Sequence, residues 1–195
     1  MGELFSANTI QNITTANIDN VVVKEEVFED NMLCFSATSR VEKKYGIEAH
    51  LLSTIASVES GQWDYKREQY MAWPWTVNAQ GKSYYLKSKE EAVAKVQELQ
   101  ENGIKSIDVG CMQINLKYHK DAFASLEDAF DPQKNVEYSA QFLAKLYSSR
   151  GKDWDRAVMA YHSKDPVRGS NYHKRLSSRY EQLKVAFNSS ENGLF

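Results

Sequence analysis

The chain has 195 residues, 42% hydrophobic and 26% charged, which suits one domain with a sizeable core and an ordinary globular composition. A formal net charge of −2 gives no nucleic-acid footprint and no polybasic membrane surface. No apolar run approaches the ~18 residues of a membrane span, so neither nucleic acid nor a membrane-spanning role is expected.

Residues 1 to about 30 are rich in Asn, Thr and acidic residues around one short apolar run, Val21-Val22-Val23. That pattern buries little and reads as a tail or loosely docked arm. It also lacks the basic and apolar regions of a signal peptide, so either the protein is cytosolic or a leader has been removed. From Asn31 the texture changes. Cys34, Thr38, Val41 and Tyr45 keep helical spacing up to Gly46, which predicts an amphipathic helix with Cys34 facing inward.

A second helix follows after a short connection. Leu52, Ile55 and Glu59 fall at i, i+3 and i+7, and Gly61 stops the run. Glu59 therefore projects from the apolar face, and a Glu there needs an explanation. It is either a rim acid reaching water at the helix end, or a carboxylic acid kept protonated near neutral pH by desolvation.

Between Gln62 and Ser88 the helical period vanishes. Trp73 to Val77 and Lys82 to Leu86 flank Asn78-Ala79-Gln80-Gly81 and predict one β-hairpin, about half of whose rings (Trp73, Trp75, Tyr84, Tyr85) pack onto the helices. Ser88-Lys89-Glu90-Glu91 is a capping box opening a helix that Asn102-Gly103 ends. A short linker, Ile104 to Val109, leads into Gly110-Cys111-Met112-Gln113-Ile114-Asn115. Asp131-Pro132 starts a helix that Gly151 ends, and Trp154 to Tyr161 is a shorter one. After a turn over Pro166 to Gly169, Tyr172, Leu176, Leu183 and Phe187 mark the last helix, and residues 188–195 read as a frayed end. The fold class is mainly α, a helical domain with one small β-hairpin.

His50, His119, His162 and His173 have no ligand spacing, and the chain carries no GxSxG elbow and no phosphate-binding Gly-rich loop, so no metal and no cofactor is expected. Cys34 and Cys111 have no CxxC spacing; they are one disulfide in an oxidising compartment or two buried thiols in the cytosol. Asp64 and Asp108 are the candidate second carboxylates for Glu59, with Asp108 placed in a short loop.

In order, Glu59-Ser60-Gly61, Gly110-Cys111-Met112-Gln113-Ile114-Asn115, a helical Asn135 and Ala160-Tyr161 resemble the soluble lytic transglycosylase catalytic domain of the lysozyme-like, goose-type-lysozyme-like superfamily. The resemblance spans about Cys34 to Leu176 and implies an α+β lysozyme-like catalytic domain over 31–187, between the N-terminal arm (1–30) and a C-terminal tail (188–195). It implies that Glu59 is the single catalytic acid, protonating the bond between N-acetylmuramic acid and N-acetylglucosamine in peptidoglycan. The ionised Glu59 then takes the proton of the sugar's own 6-hydroxyl, giving a 1,6-anhydro product.

Such a site needs one carboxylate with a pKa near working pH and no second one, because the substrate's acetamido group assists. The resemblance further implies that Met112 and Gln113 line the sugar groove and that the Tyr161 hydroxyl points to Glu59. Cys111 stands where the family has Leu, and His162 where it has Asn. A disulfide from Cys111 to the inward-facing Cys34 is the hypothesis this raises, beside the alternative of two buried thiols.

The implied partner is the peptidoglycan glycan strand, and the implied place is the periplasm or cell envelope of a bacterium, with the enzyme a monomer. Service to wall turnover, to an envelope secretion apparatus or to a flagellum stays open. The rivals are a hydrolytic muramidase using Asp108 or Asp64, and a non-catalytic wall-binding or scaffold protein. Glu59→Gln is expected to abolish lysis with little change in melting temperature.

Overall fold

The computed structural model describes residues 30–191, so the expected N-terminal arm lies outside the described residues except for Asp30. Among the described residues seven helices and six short strands follow one another. Helix α1 (Asp30–Tyr45) buries Cys34, Thr38 and Val41 on one face and is released by Gly46 at φ 62°. Helix α2 (Leu51–Ser60) is buried along most of its length. Its N-terminus has no side-chain cap of its own. The Glu42 carboxylate of α1 takes that place, accepting the backbone N–H groups of His50 (2.9 Å), Leu52 (2.7 Å) and Ser53 (3.2 Å). This buried acid therefore fixes how α2 enters the core.

The aromatic segment contains two hairpins where one was expected. Strands β1 (Gly61–Asp64) and β2 (Gln69–Ala72) pair antiparallel, with Trp63 opposite Tyr70. Strands β3 (Thr76–Ala79) and β4 (Lys82–Tyr85) form the expected hairpin, turning at Gln80-Gly81 with φ 53° and 76°, the two positive values of a type I′ turn. Strand β3 also pairs with β5 (Ile107–Val109), which pairs with β6 (Ile114–Asn115), giving the order β4-β3-β5-β6. Asp108 thus lies on a strand rather than in the loop expected for it.

Helix α3 (Lys89–Glu101) covers this sheet. Ser88 caps it by accepting the Glu91 N–H at 3.3 Å, while the Glu91 carboxylate reaches one residue further back, to the Lys87 N–H at 3.0 Å. Of the four rings of the β3–β4 region, Trp75 is buried, Trp73 donates from Nε1 to the Leu86 carbonyl at 2.7 Å, Tyr84 is half-buried and Tyr85 is exposed. Two cores result. One lies between sheet and α3, and the other among α1, α2, the 111–114 turn and the C-terminal helices.

The short α4 (Leu126–Ala129) precedes α5 (Pro132–Ser149), capped by Asp131 as expected, and α6 (Trp154–His162), capped by Asp153. Helix α7 (Pro166–Glu191) starts earlier than the sequence pattern suggested. Asp165 accepts the Arg168 N–H at 2.8 Å and Pro166 takes the first helical position, so the expected turn over Pro166–Gly169 is the first turn of the helix itself. The early start also lets α6 and α7 meet closely: a Cβ on Gly169 would lie 3.0 Å from the Met159 carbonyl oxygen. Helix α7 runs on to Glu191, past residue 188, and the side chain of Phe187 lies outside the described residues. No described helix is long and apolar enough to cross a membrane.

Candidate active site

Three constraints converge on the C-terminal end of α2. Gly61 leaves the helix in extended conformation (φ −67°, ψ 133°) rather than the left-handed one, and a Cβ there would sit 2.1 Å from the Ser57 carbonyl oxygen. Only glycine permits a β-strand to begin so tightly against the last turn. The Ser60 hydroxyl, fully buried, donates to the Cys111 carbonyl at 2.7 Å, which ties the helix end to the 110–113 turn. A Cys34–Cys111 disulfide then ties that turn to α1.

The turn itself is held from α5. Asn135, fully buried, accepts the Met112 N–H at 2.9 Å through Oδ1 and donates through Nδ2 to the carbonyls of Val109 (3.1 Å) and Ala129 (2.9 Å). Gly110, at φ 78°, has to be glycine for two reasons, its backbone angle and the Asn135 amide, which a Cβ would approach to 2.5 Å.

Glu59 emerges from this clamp with 17% of its side chain exposed. Burial pushes its carboxyl from an ordinary 4.5 up to about 7; Tyr172 and Arg175 act downward on it, and the Asp108 charge adds to the rise. The Tyr172 hydroxyl is fully buried and interacts with the Glu59 carboxylate, yet it forms no hydrogen bond of full geometry to any described group. We read it as poised beside the acid and not locked to it. The imidazole of His162 stacks on the Tyr172 ring (centroids 4.2 Å apart, planes 1° from parallel) with Nδ1 3.9 Å from the Glu59 Oε1. Desolvation, then Arg175 and Arg168, lower the His162 pKa, which favours a neutral ring beside the acid.

Tyr161, whose hydroxyl the resemblance points at Glu59, stands in the acid's surroundings and makes its hydrogen bonds to other groups. Its hydroxyl donates to the Met112 carbonyl at 3.1 Å, so Ser139 Oγ, 2.5 Å away, is the donor to it. Burial raises its pKa, and the Glu59 charge raises it further, which puts it in the acid's surroundings, but Tyr172 is the hydroxyl that meets the carboxylate.

Met112 is fully buried in the helical core, so its contribution is backbone geometry and not a groove wall. Gln113, at φ 48°, donates from Nε2 to the carbonyls of Thr76 (3.1 Å) and Gly110 (3.0 Å). Its donors are therefore spent on the turn, and Oε1 is the atom left to accept.

The candidate second carboxylates part company. Asp108 is half-buried on β5, accepts from Asn115 Nδ2 at 2.8 Å and is pushed upward by burial, and its charge is felt at Glu59. Asp64 is raised by burial but lowered overall by the Arg67 N–H, the Arg67 guanidinium at 3.0 Å and the Lys66 N–H, which makes it the anchor of the β1–β2 turn. One site residue, Tyr172, escaped the sequence reading, as did Glu42, the cap at the other end of α2. For Tyr172 a signal existed. It is a tyrosine on the apolar stripe of α7, and a buried phenol calls for a polar neighbour as a buried acid does.

A family model described as the transglycosylase SLT domain matches residues 36–183, from within α1 to Leu183 in α7. The chain belongs to the transglycosylase SLT domain family. The SLT match contains Glu59, the 110–113 turn and Tyr172, and of the disulfide that clamps the turn it contains Cys111 but not Cys34. Comparisons with curated proteins and with solved structures returned no match. Family membership gives a glycosidic-bond-cleaving, transglycosylase type of protein with peptidoglycan as the substrate class.

Proposed function

We propose that the protein is a peptidoglycan lytic transglycosylase in which Glu59 alone is both acid and base. The observation that carries this reading is a carboxyl only 17% exposed at the end of a clamped helix, 3.9 Å from His162, whose ring stacks on the buried Tyr172; that burial pushes Glu59 up to about 7. Protonated Glu59 gives its proton to the glycosidic oxygen, and the N-acetylglucosamine leaves. The acetamido oxygen of the muramic residue covers the cationic C1. The carboxylate then takes the proton of the C6 hydroxyl as O6 closes on C1. Glu59 ends protonated, ready for the next bond, and no water enters the product. Gln113 Oε1 is the acceptor available to a sugar hydroxyl or N–H along the groove.

The muramidase alternative needs a second carboxylate that stays ionised beside the cationic centre. Asp64 is committed to Arg67, and Asp108 on β5 is committed to the Asn115 amide, so neither stands ready for that work. The scaffold alternative gives Glu59 no role: Glu42, also raised to about 7, caps α2 in return, whereas Glu59 caps no helix among the described residues. A protein with this substrate acts outside the cytoplasmic membrane, in the bacterial envelope, where a Cys34–Cys111 disulfide persists. Digestion of purified sacculi followed by mass analysis of the muropeptides tests the reading. Anhydro ends support it, and reducing ends from the wild type overturn it in favour of hydrolysis.

A further inference from the structure

Helix α7 carries a row of residues that the proposed chemistry does not use. Arg168, Tyr172, Arg175 and Arg179 are separated by four, three and four residues, so they share one narrow face of the helix. That face starts at His162 and Glu59, whose pKa values Arg168 and Arg175 influence, and runs ~16 Å along the helix. At its far end it meets the β1–β2 hairpin.

There the Arg179 guanidinium lies 4.7 Å above the Tyr70 ring, and Tyr70 meets Trp63 edge-on at 5.2 Å, with both rings 41% exposed. Arg175 lies 5.8 Å from the Tyr172 ring. None of the three guanidinium groups pairs with a carboxylate among the described residues. Asp165 binds the backbone of Arg168, while Arg67 and Arg156 elsewhere are paired with Asp64 and Asp153. Three cations aligned from the acid outward, in a chain of net charge −2, form a local field that favours an anionic ligand.

The sugar backbone of peptidoglycan is neutral; its negative charges are the carboxylates of the stem peptides amide-linked to the muramic residues. We infer that the Arg168–Arg175–Arg179 face is a subsite for those stem-peptide carboxylates, so that the enzyme selects peptide-bearing strands. This rests on the peptidoglycan reading above. The stripe gives charge-assisted contacts whose spacing a polymer can meet at more than one point, while Trp63 and Tyr70 offer apolar faces to sugar rings at its end. Arg175 also acts on Glu59 and Arg168 on His162, so Arg179 reports the subsite most cleanly and Arg168 is read together with it.

The test uses soluble peptide-bearing glycan strands and the same strands with their stem carboxylates converted to amides, with initial rates of anhydro-product formation as the readout. Wild type is expected to prefer the anionic strands about tenfold in kcat/KM, carried by KM and diminished by added salt, because each exposed pair contributes only a few-fold. The Arg168→Gln/Arg179→Gln variant is expected to cleave both strands at nearly one rate, and Arg168→Lys/Arg179→Lys to recover most of the preference. Equal cleavage of both strands by wild type, or a full preference kept by the Gln variant, overturns the inference while leaving the lytic reading intact. No anhydro product from either strand overturns both.

Discussion

Replacing Glu59 by Gln removes a charge from a place that disfavours charge, and the consequence for stability has a definite sign. A carboxyl raised from 4.5 to about 7 in the folded protein binds its proton more tightly there than in the unfolded chain. Its contribution is complete below pH 4.5 and is lost as pH rises through about 7. The rise corresponds to at most about 3 kcal/mol, since the side chain is only 17% exposed and little screened.

Glu59→Gln keeps the shape and discards the titration. It should melt with the wild type at pH 4 and above it at pH 8, by roughly 6–12 °C for a chain of this size. The sequence expectation of a nearly unchanged melting temperature therefore holds only on the acid side. Thermal melts followed by circular dichroism between pH 4 and 8 measure this directly. A difference that stays flat across that range would show that Glu59 is not held above its ordinary pKa, and the acid role would lose its physical basis.

Two further variants should move the alkaline limb of the pH–rate profile in opposite directions. Asp108→Asn removes a charge that raises Glu59 and should shift the loss of kcat/KM to lower pH, whereas Arg175→Gln removes one that lowers it and should shift the loss to higher pH. Gly61→Ala places a methyl group 2.1 Å from the Ser57 carbonyl and should destabilise the fold by about 2 kcal/mol or more in chemical denaturation, with activity lost alongside. Converting both Cys34 and Cys111 to Ser opens a 77-residue loop and should lower stability by about 4 kcal/mol in the chain-entropy account, read from the same denaturation midpoints.

How far the sequence reveals this site depends on the range of the interaction involved. Glu59 is legible because a helix period is local, and an acid on an apolar stripe is visible at i, i+3, i+7. The Gln80-Gly81 hairpin and the Asp131-Pro132 and Ser88 caps are legible for the same reason. The β1–β2 hairpin is not, because its turn, Tyr65 to Glu68, carries no Gly, Asn or Pro to mark it, and the exposed Trp63 and Tyr70 leave no clean alternation.

Tyr172 and Glu42 escape because their meaning lies across the fold. Tyr172 reads as a core aromatic until α7 is laid against α2, and Glu42 reads as a surface charge of α1 until the uncapped N–H groups of α2 arrive beside it. Tyr161 shows the converse. Its presence was legible, but its partners, Ser139 and Met112, are separated from it by 22 and 49 residues and no local pattern names them.

The central claim is that one carboxylate performs both proton transfers. Mass analysis of the sugar ends released from purified peptidoglycan tests it most directly. Wild type should give 1,6-anhydromuramoyl ends without reducing ends; Asp108→Asn and Asp64→Asn should give the same product, while Glu59→Gln gives none. Reducing ends from the wild type, or anhydro product surviving in Glu59→Gln, would contradict the claim.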